Sequence, residues 1–208
     1  MDARHALNPT NIALVAVFAG LIAASTIWPG VALQAGVPIS LQTFAVLLAG
    51  AVLGPWRGAA AVVVYLILGT AGLPIFAQHK YGFSAWAGPT GGFLIGFVFA
   101  AFVTGWMVRR LHRSHSLTFV GIVGACAVGS LVVLNVIGYT WLSVRLGTSL
   151  GDTLAIAAPF LPGDIIKLFL AASIAAAVHR AYPWLIATPA RPKETGARTD
   201  AVAPASNA

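Results

Sequence analysis

The sequence predicts an all-α integral membrane protein with six transmembrane helices and both termini in the cytoplasm. Three observations predict it. Of the 208 residues, 59 % are hydrophobic and only 8 % are charged, and the mean hydropathy is +0.88, the composition of a chain solvated by lipid. Six apolar stretches follow one another, separated by Gly- and Pro-bearing breaks. The basic residues fall mostly on alternate breaks, as the positive-inside rule requires.

The first stretch, about Asn11–Trp28, is long and lacks a small-x-small cleavage site, so it is expected to be retained as a helix. The second (Ser40–Leu53) and third (Ala59–Leu73) are shorter than the roughly 20 residues of a simple span. Either neighbouring loop residues extend them, or they leave a dent near the outer surface. Pro55-Trp56-Arg57-Gly58 between them reads as a tight turn. The fourth and fifth stretches run about Gly91–Arg109 and Leu117–Val144, and the sixth about Pro159–His179. Pro162 suits the first turn of the sixth, where a missing N–H costs nothing. The expected organisation is a cytoplasmic arm over 1–11, a six-helix domain over 12–181 and a cytoplasmic tail over 182–208. Residues 188–208 have the Pro-, Ala- and Thr-rich composition of a disordered segment.

Charge sets the orientation. With the N-terminus inside, the cytoplasmic regions hold Arg4, Arg57, Arg109, Arg110, Arg113, Arg180, Arg191, Lys193 and Arg198, nine of the twelve basic residues. Lys80 and Arg145 fall outside, and Lys167 lies within the sixth helix. Trp28, Trp86 and Trp141 sit near outer ends and Trp56, Trp106 and Trp184 near inner ends, as interface anchors in contact with the lipid bilayer would. A net charge of +7 distributed this way reflects topology, and no basic patch with interleaved aromatics suggests nucleic acid. The single cysteine, Cys126, lies in an apolar run and reads as a packing residue, with no metal cluster around it.

Asp164 and Lys167 are the conspicuous residues. They stand one helical turn apart inside the sixth stretch, where each charge would cost roughly 2.5–3.5 kcal/mol at a bilayer centre. With most of the helix still to follow, both fall in the outer third of the membrane. Two arrangements account for them: a structural ion pair packed on a neighbouring helix, or a pocket that needs an acceptor and a cation. Two outer loops carry further unusual residues. The first, Pro29 to Leu41, is too apolar for a solvated loop and leads into Gln42; such a segment is tolerated where it packs on protein or caps a cavity. The second, Leu73 to Thr90, carries Gln78, His79, Lys80, Tyr81 and Trp86 before Gly88-Pro89-Thr90-Gly91-Gly92, where Thr90 stands at a helix start. Asn135 and Tyr139 on the fifth helix are i, i+4 neighbours on one face.

With these residues together, the chain resembles the BioY family, the biotin-binding S component of energy-coupling-factor (ECF) transporters, over about Ala13 to Ala181. The resemblance rests on Val37-Pro-Ile-Ser-Leu-Gln-Thr43, Leu48-Ala-Gly50 with Leu53-Gly-Pro55, Gly72-Leu-Pro-Ile-Phe76, Gly88-Pro-Thr-Gly-Gly92 and Pro159-Phe-Leu-Pro-Gly-Asp-Ile-Ile-Lys167, in that order. It implies a six-helix fold, an outward-facing pocket lidded by outer loops, and high-affinity biotin capture, with biotin as the transported substrate and no cofactor. It also implies partners: a transmembrane T component and two ATPase subunits. Family members often carry an arginine in a Gly-rich stretch where this chain has Gln78-His79-Lys80-Tyr81-Gly82; Lys80 keeps the charge without the bidentate fork.

Candidate substrate-binding residues are therefore Asp164, Lys167, Lys80, Gln42, Asn135, Tyr139, Thr90 and Trp86. Asp164 suits ureido N–H groups, and either Lys167 or Lys80 suits the biotin carboxylate. None of the three lysines follows a glycine, so there is no Gly-x-x-x-x-Gly-Lys-Ser/Thr loop and ATP-driven movement needs a partner. Ala16, Gly20 and Ala24, with Ala19 and Ala23, place small residues four apart on the first helix, which permits either partner docking or close packing within the chain. Alternatives are an S component for another small vitamin, a solitary carrier and, most distantly, an intramembrane enzyme. No Gly-x-Ser-x-Gly or His-Glu-x-x-His occurs to support the last.

Overall fold

Asn8 starts the first helix: its side-chain oxygen accepts from the Thr10 N–H at 3.1 Å, and Pro9 occupies a first-turn position. The helices that follow, taken from a computed structural model, are described for residues 8–26 and 40–186. They are α1 (Pro9–Ala24), α2 (Gln42–Leu53), α3 (Pro55–Thr70), α4 (Gly91–Arg113), α5 (Phe119–Leu146) and α6 (Leu150–Ala181). No strand occurs among the described residues. Arg4, Trp28, the first outer loop up to Ile39 and the tail from Ala187 lie outside them.

Three of the helices, α4, α5 and α6, are long and apolar enough to cross a membrane, at 23, 28 and 32 residues. The 12 residues of α2 rise only about 18 Å. Burial explains how so short a helix is accommodated. Residues Ala45 to Leu53 are all buried, enclosed by α3, α4 and α6, so protein rather than lipid surrounds most of α2. Association of such helices depends on close packing more than on hydrophobic drive, and small residues allow it. A Cβ at Gly50 would overlap the Ala101 carbonyl of α4, and one at Gly92 would overlap the Trp141 side chain of α5.

The link between α2 and α3 differs from the expected turn over 55–58. Gly54 alone reverses the chain, at φ 81°, a conformation that glycine adopts without penalty. Pro55 then starts α3 at once. Arg57 consequently lies in the first turn of α3 and fastens one end of the bundle together. It donates to the Leu53 carbonyl at 2.9 Å, to Asn11 Oδ1 at 3.2 Å and to the Leu185 carbonyl. The start of α1, the α2–α3 link and the segment after α6 thus meet at one end. Beside that contact Ile186 is buried, at 2 % exposure, and lies over Gly54.

The small-residue stripe on α1 divides. Ala19 is buried, and the half-buried Ala23 packs on the same apolar cluster inside the chain. Ala16, Gly20 and Ala24 are exposed, and a Cβ built on Gly20 would meet open space.

Two further features depart from the sequence expectation. Residues 150–157 form a helical arm in place of loop. Ser149 caps it, accepting from the Asp152 N–H at 3.2 Å while its hydroxyl donates to Asp152 Oδ2 at 2.6 Å, a reciprocal capping arrangement. In the middle of α5, Val128–Leu134 is wound as π-helix, and Asn135 follows it immediately. π-turns often accompany functional sites because they re-aim the side chains beyond them.

Candidate functional site

At the end of the bundle opposite Arg57, several elements converge on one cavity. The start of α2 contributes Gln42 and Thr43, and the start of α4 contributes Thr90, Phe93 and Phe97. α5 brings Asn135 and Tyr139 and α6 brings Asp164 and Lys167, while the segment after α3 covers the space with Phe76 and Lys80.

The charges lie on one side. Asp164 is in the first turn of the Leu161–Ala181 portion of α6. Lys167, one turn on, donates from Nζ to Asp164 Oδ1 at 3.0 Å, and the two side chains are 10 % (Lys167) and 13 % (Asp164) exposed. The two residues form an ion pair, and both line the cavity.

Other polar groups are held less firmly. Among the described residues, the Asn135 amide, the hydroxyls of Tyr139 and Thr90, and the Lys80 ammonium have no hydrogen-bond partner. Asn135 is only 7 % exposed and lines the cavity. Tyr139 has its ring edge-on to Phe93, with centroids 5.9 Å apart. Thr90 stands at the N-cap of α4 but makes no side-chain capping bond. Gln42 is more committed. Its Nε2 donates to Tyr65 Oη at 2.5 Å and its Oε1 accepts from Ser40 at 3.1 Å, leaving one amide N–H for anything else.

Seven of the eight candidate residues therefore share this cavity: Asp164, Lys167, Lys80, Gln42, Asn135, Tyr139 and Thr90. Trp86 does not. Its indole donates to Thr70 Oγ1 at 2.9 Å, and its ring lies with Phe83 in a shallow apolar groove on α3. A partly buried indole needs an acceptor, and Thr70 supplies one on that side. Trp141 is likewise turned away, donating to the Gly88 carbonyl at 3.0 Å. The apolar walls come from Phe76, Phe93, Phe97 and Leu134, and from Ile156 and Phe160 at the arm of α6. Sequence reasoning missed the arm, although the Ser149–Asp152 capping pair marks it.

Residues 1–184 match the sequence profile of the BioY family. The chain belongs to the BioY family. Among relatives, it is 42 % identical over 182 residues to the biotin transporter BioY of Rhodobacter capsulatus, covering 83 % of this chain and 95 % of that one. It is 38 % identical over 183 residues to the biotin transporter BioY of Rhizobium etli, covering 86 % and 98 %. In three dimensions it is similar to the crystal structure of the S component for biotin from an ECF-type ABC transporter. The TM-score is 0.79 at 26 % identity, covering 86 % of this chain and 95 % of that one. BioY relatives are transporters, and this chain is a helical, multi-pass membrane protein of the same family.

Proposed function

We propose that this BioY chain captures biotin with high affinity from the outside and delivers it across the prokaryotic cytoplasmic membrane as the S component of an ECF-type transporter. The observation that carries this is the cavity itself. It joins a charge pair, four unpartnered polar groups and an aromatic wall in one space. Biotin offers a neutral ureido head, a thioether and an apolar chain ending in a carboxylate, and each has a counterpart there. The Asp164–Lys167 pair is close to neutral overall and offers an acceptor and a donor, which suits the ureido N–H and carbonyl. Lys80, at the mouth and without a carboxylate partner among the described residues, suits the biotin carboxylate. Biotin is cargo, and the chain works as a transport subunit without cofactor or catalysis.

The orientation that fits is six spans with both ends cytoplasmic. It is supported by the nine basic residues on one side and by the convergence of α1, the α2–α3 link and the end of α6 on Arg57. α2 then crosses as a sheltered helix, and α1 and α3 cross with help from flanking residues. Movement of biotin needs ATP, which this chain has no phosphate loop to use, so a T component and two ATPase subunits complete the machine. The exposed face of Ala16, Gly20 and Ala24 is the surface we assign to docking. The test is uptake of labelled biotin by cells lacking their own importer. Expressing this chain with a T component and its ATPases should give ATP-dependent accumulation. Absence of accumulation from a correctly inserted complex would contradict the assignment.

A further inference from the structure

Tyr65 lies near the outer end of α3, is wholly buried and lines no part of the cavity. A phenol removed from solvent needs partners for its hydroxyl; one partner, Gln42, lines the cavity, and the other, Ile75, immediately precedes Phe76 of its wall. Tyr65 Oη accepts from Gln42 Nε2 at 2.5 Å and donates to the Ile75 carbonyl at 3.1 Å. Gln42 Oε1 accepts in turn from Ser40 Oγ at 3.1 Å. One hydroxyl therefore joins the residues entering α2 to the segment leaving α3.

That segment is also tied by backbone bonds, Ile75 N–H to the Leu73 carbonyl and Gly82 N–H to the Gly69 carbonyl, both at 2.8 Å. Gln78 and His79 are consecutive non-glycine residues at φ 61° and 57°, conformations that persist only where the surroundings fix them. Next to Ile75, Phe76 sits edge-on against the Tyr65 ring, centroids 5.5 Å apart, and fills the space over Gly69 that any side chain there would contest. The Phe76 N–H donates to the Lys80 carbonyl at 3.1 Å, so fixing Ile75 and Phe76 also fixes where Lys80 stands. Ser40, Gln42, Phe76, Ala77 and Lys80 all line the cavity.

We propose that Tyr65 is a positioning residue for this site: without touching the ligand, it locks Gln42 and the Ile75–Lys80 loop together and sets how long biotin stays bound. The proposal rests on the biotin reading above and deepens it. Tyr65→Phe keeps the ring and its packing but leaves the Ile75 carbonyl and the Gln42 amide short of a partner. The loop then opens more often, which affects exit of a bound ligand more than entry through an open mouth.

The experiment measures association and dissociation of labelled biotin for wild type and Tyr65→Phe, with amide exchange of residues 73–82 in both ligand-free proteins. Dissociation should quicken by about tenfold, the effect of losing one or two buried hydrogen bonds, with association within twofold. Exchange in 73–82 should rise while that of α4 stays unchanged. Wild-type release rates and unaltered exchange in the variant would overturn the proposal, as would faster release with the loop still protected. If the variant does not fold, unprotected amides over 73–82 in wild type would overturn it equally. Failure of wild type to bind biotin would sink the biotin reading alone, because the exchange comparison still decides the loop.

Discussion

Replacing Asp164 with asparagine separates the two roles that its carboxylate combines. The substitution keeps the side-chain shape and one acceptor oxygen but removes the charge 3.0 Å from Lys167 Nζ. Lys167, 8 % exposed, is left without a counter-ion nearby, because the other described carboxylate, Asp152, is engaged with Ser149 on the arm of α6. Breaking a buried pair costs about 3–5 kcal/mol. The open cavity admits water to this one, so a loss near or below about 3 kcal/mol is expected. Binding should suffer separately. A charge-assisted hydrogen bond to a ureido N–H contributes about 1.5–3 kcal/mol, so Kd should weaken roughly 10- to 150-fold. Lys167→Met should weaken binding to a similar degree. The double variant is the informative one, since it removes both charges and leaves none unpaired: stability should recover and biotin binding should not. The assay is titration of purified protein with labelled biotin beside thermal unfolding in the same detergent. A folded single variant that binds within twofold of wild type would refute the pocket role and leave a purely structural ion pair.

Lys80→Ala should weaken biotin more than a biotin analogue with an amidated carboxylate, measured by competition; equal losses would mean that Lys80 acts through loop folding and not through the ligand's charge. Gly20→Trp, on the exposed face of α1, should leave biotin binding by the isolated subunit intact but suppress ATP-dependent uptake with its partners, and full uptake would move the docking face elsewhere. Ala19→Trp should behave differently and lower thermal stability and yield, since Ala19 is buried at 3 % exposure. Gly50→Ala should destabilise by about 1–3 kcal/mol in thermal unfolding, the cost of overpacking against the Ala101 backbone; an unchanged melting temperature would show that α2 and α4 separate easily.

Much of the site was legible because charge in an apolar run has few explanations. Asp164 and Lys167 stand out for that reason, Lys80 stands out as a charge in an outer loop, and the i, i+4 spacing of Asn135 and Tyr139 carried over because α5 is regular helix again from Asn135 onward. What escaped notice depends on contacts between distant segments. Trp86 has the composition of a pocket wall, but the Thr70 hydroxyl that turns it away is 16 residues distant. Ala19 and Gly20 are equivalent as small residues, and only the position of α3 decides which of them is covered. Tyr65 is one aromatic within an apolar run, and the partners of its hydroxyl, Gln42 and Ile75, lie 23 and 10 residues away. The π-turn before Asn135 has no marker beyond the Gly129–Ser130 pair, a weak signal of helix distortion. The arm of α6 is different, because its Ser149–Asp152 capping pair stands in the sequence itself.

The central claim is that the cavity built on Asp164 and Lys167 is a biotin site. Equilibrium binding of labelled biotin to the purified protein, with thiamine and riboflavin as competitors, tests it most directly. The account predicts saturable binding at one site per chain, displaced by unlabelled biotin and unaffected by the other two vitamins. Absence of biotin binding by folded protein, or displacement by thiamine or riboflavin at concentrations comparable to biotin, would contradict it.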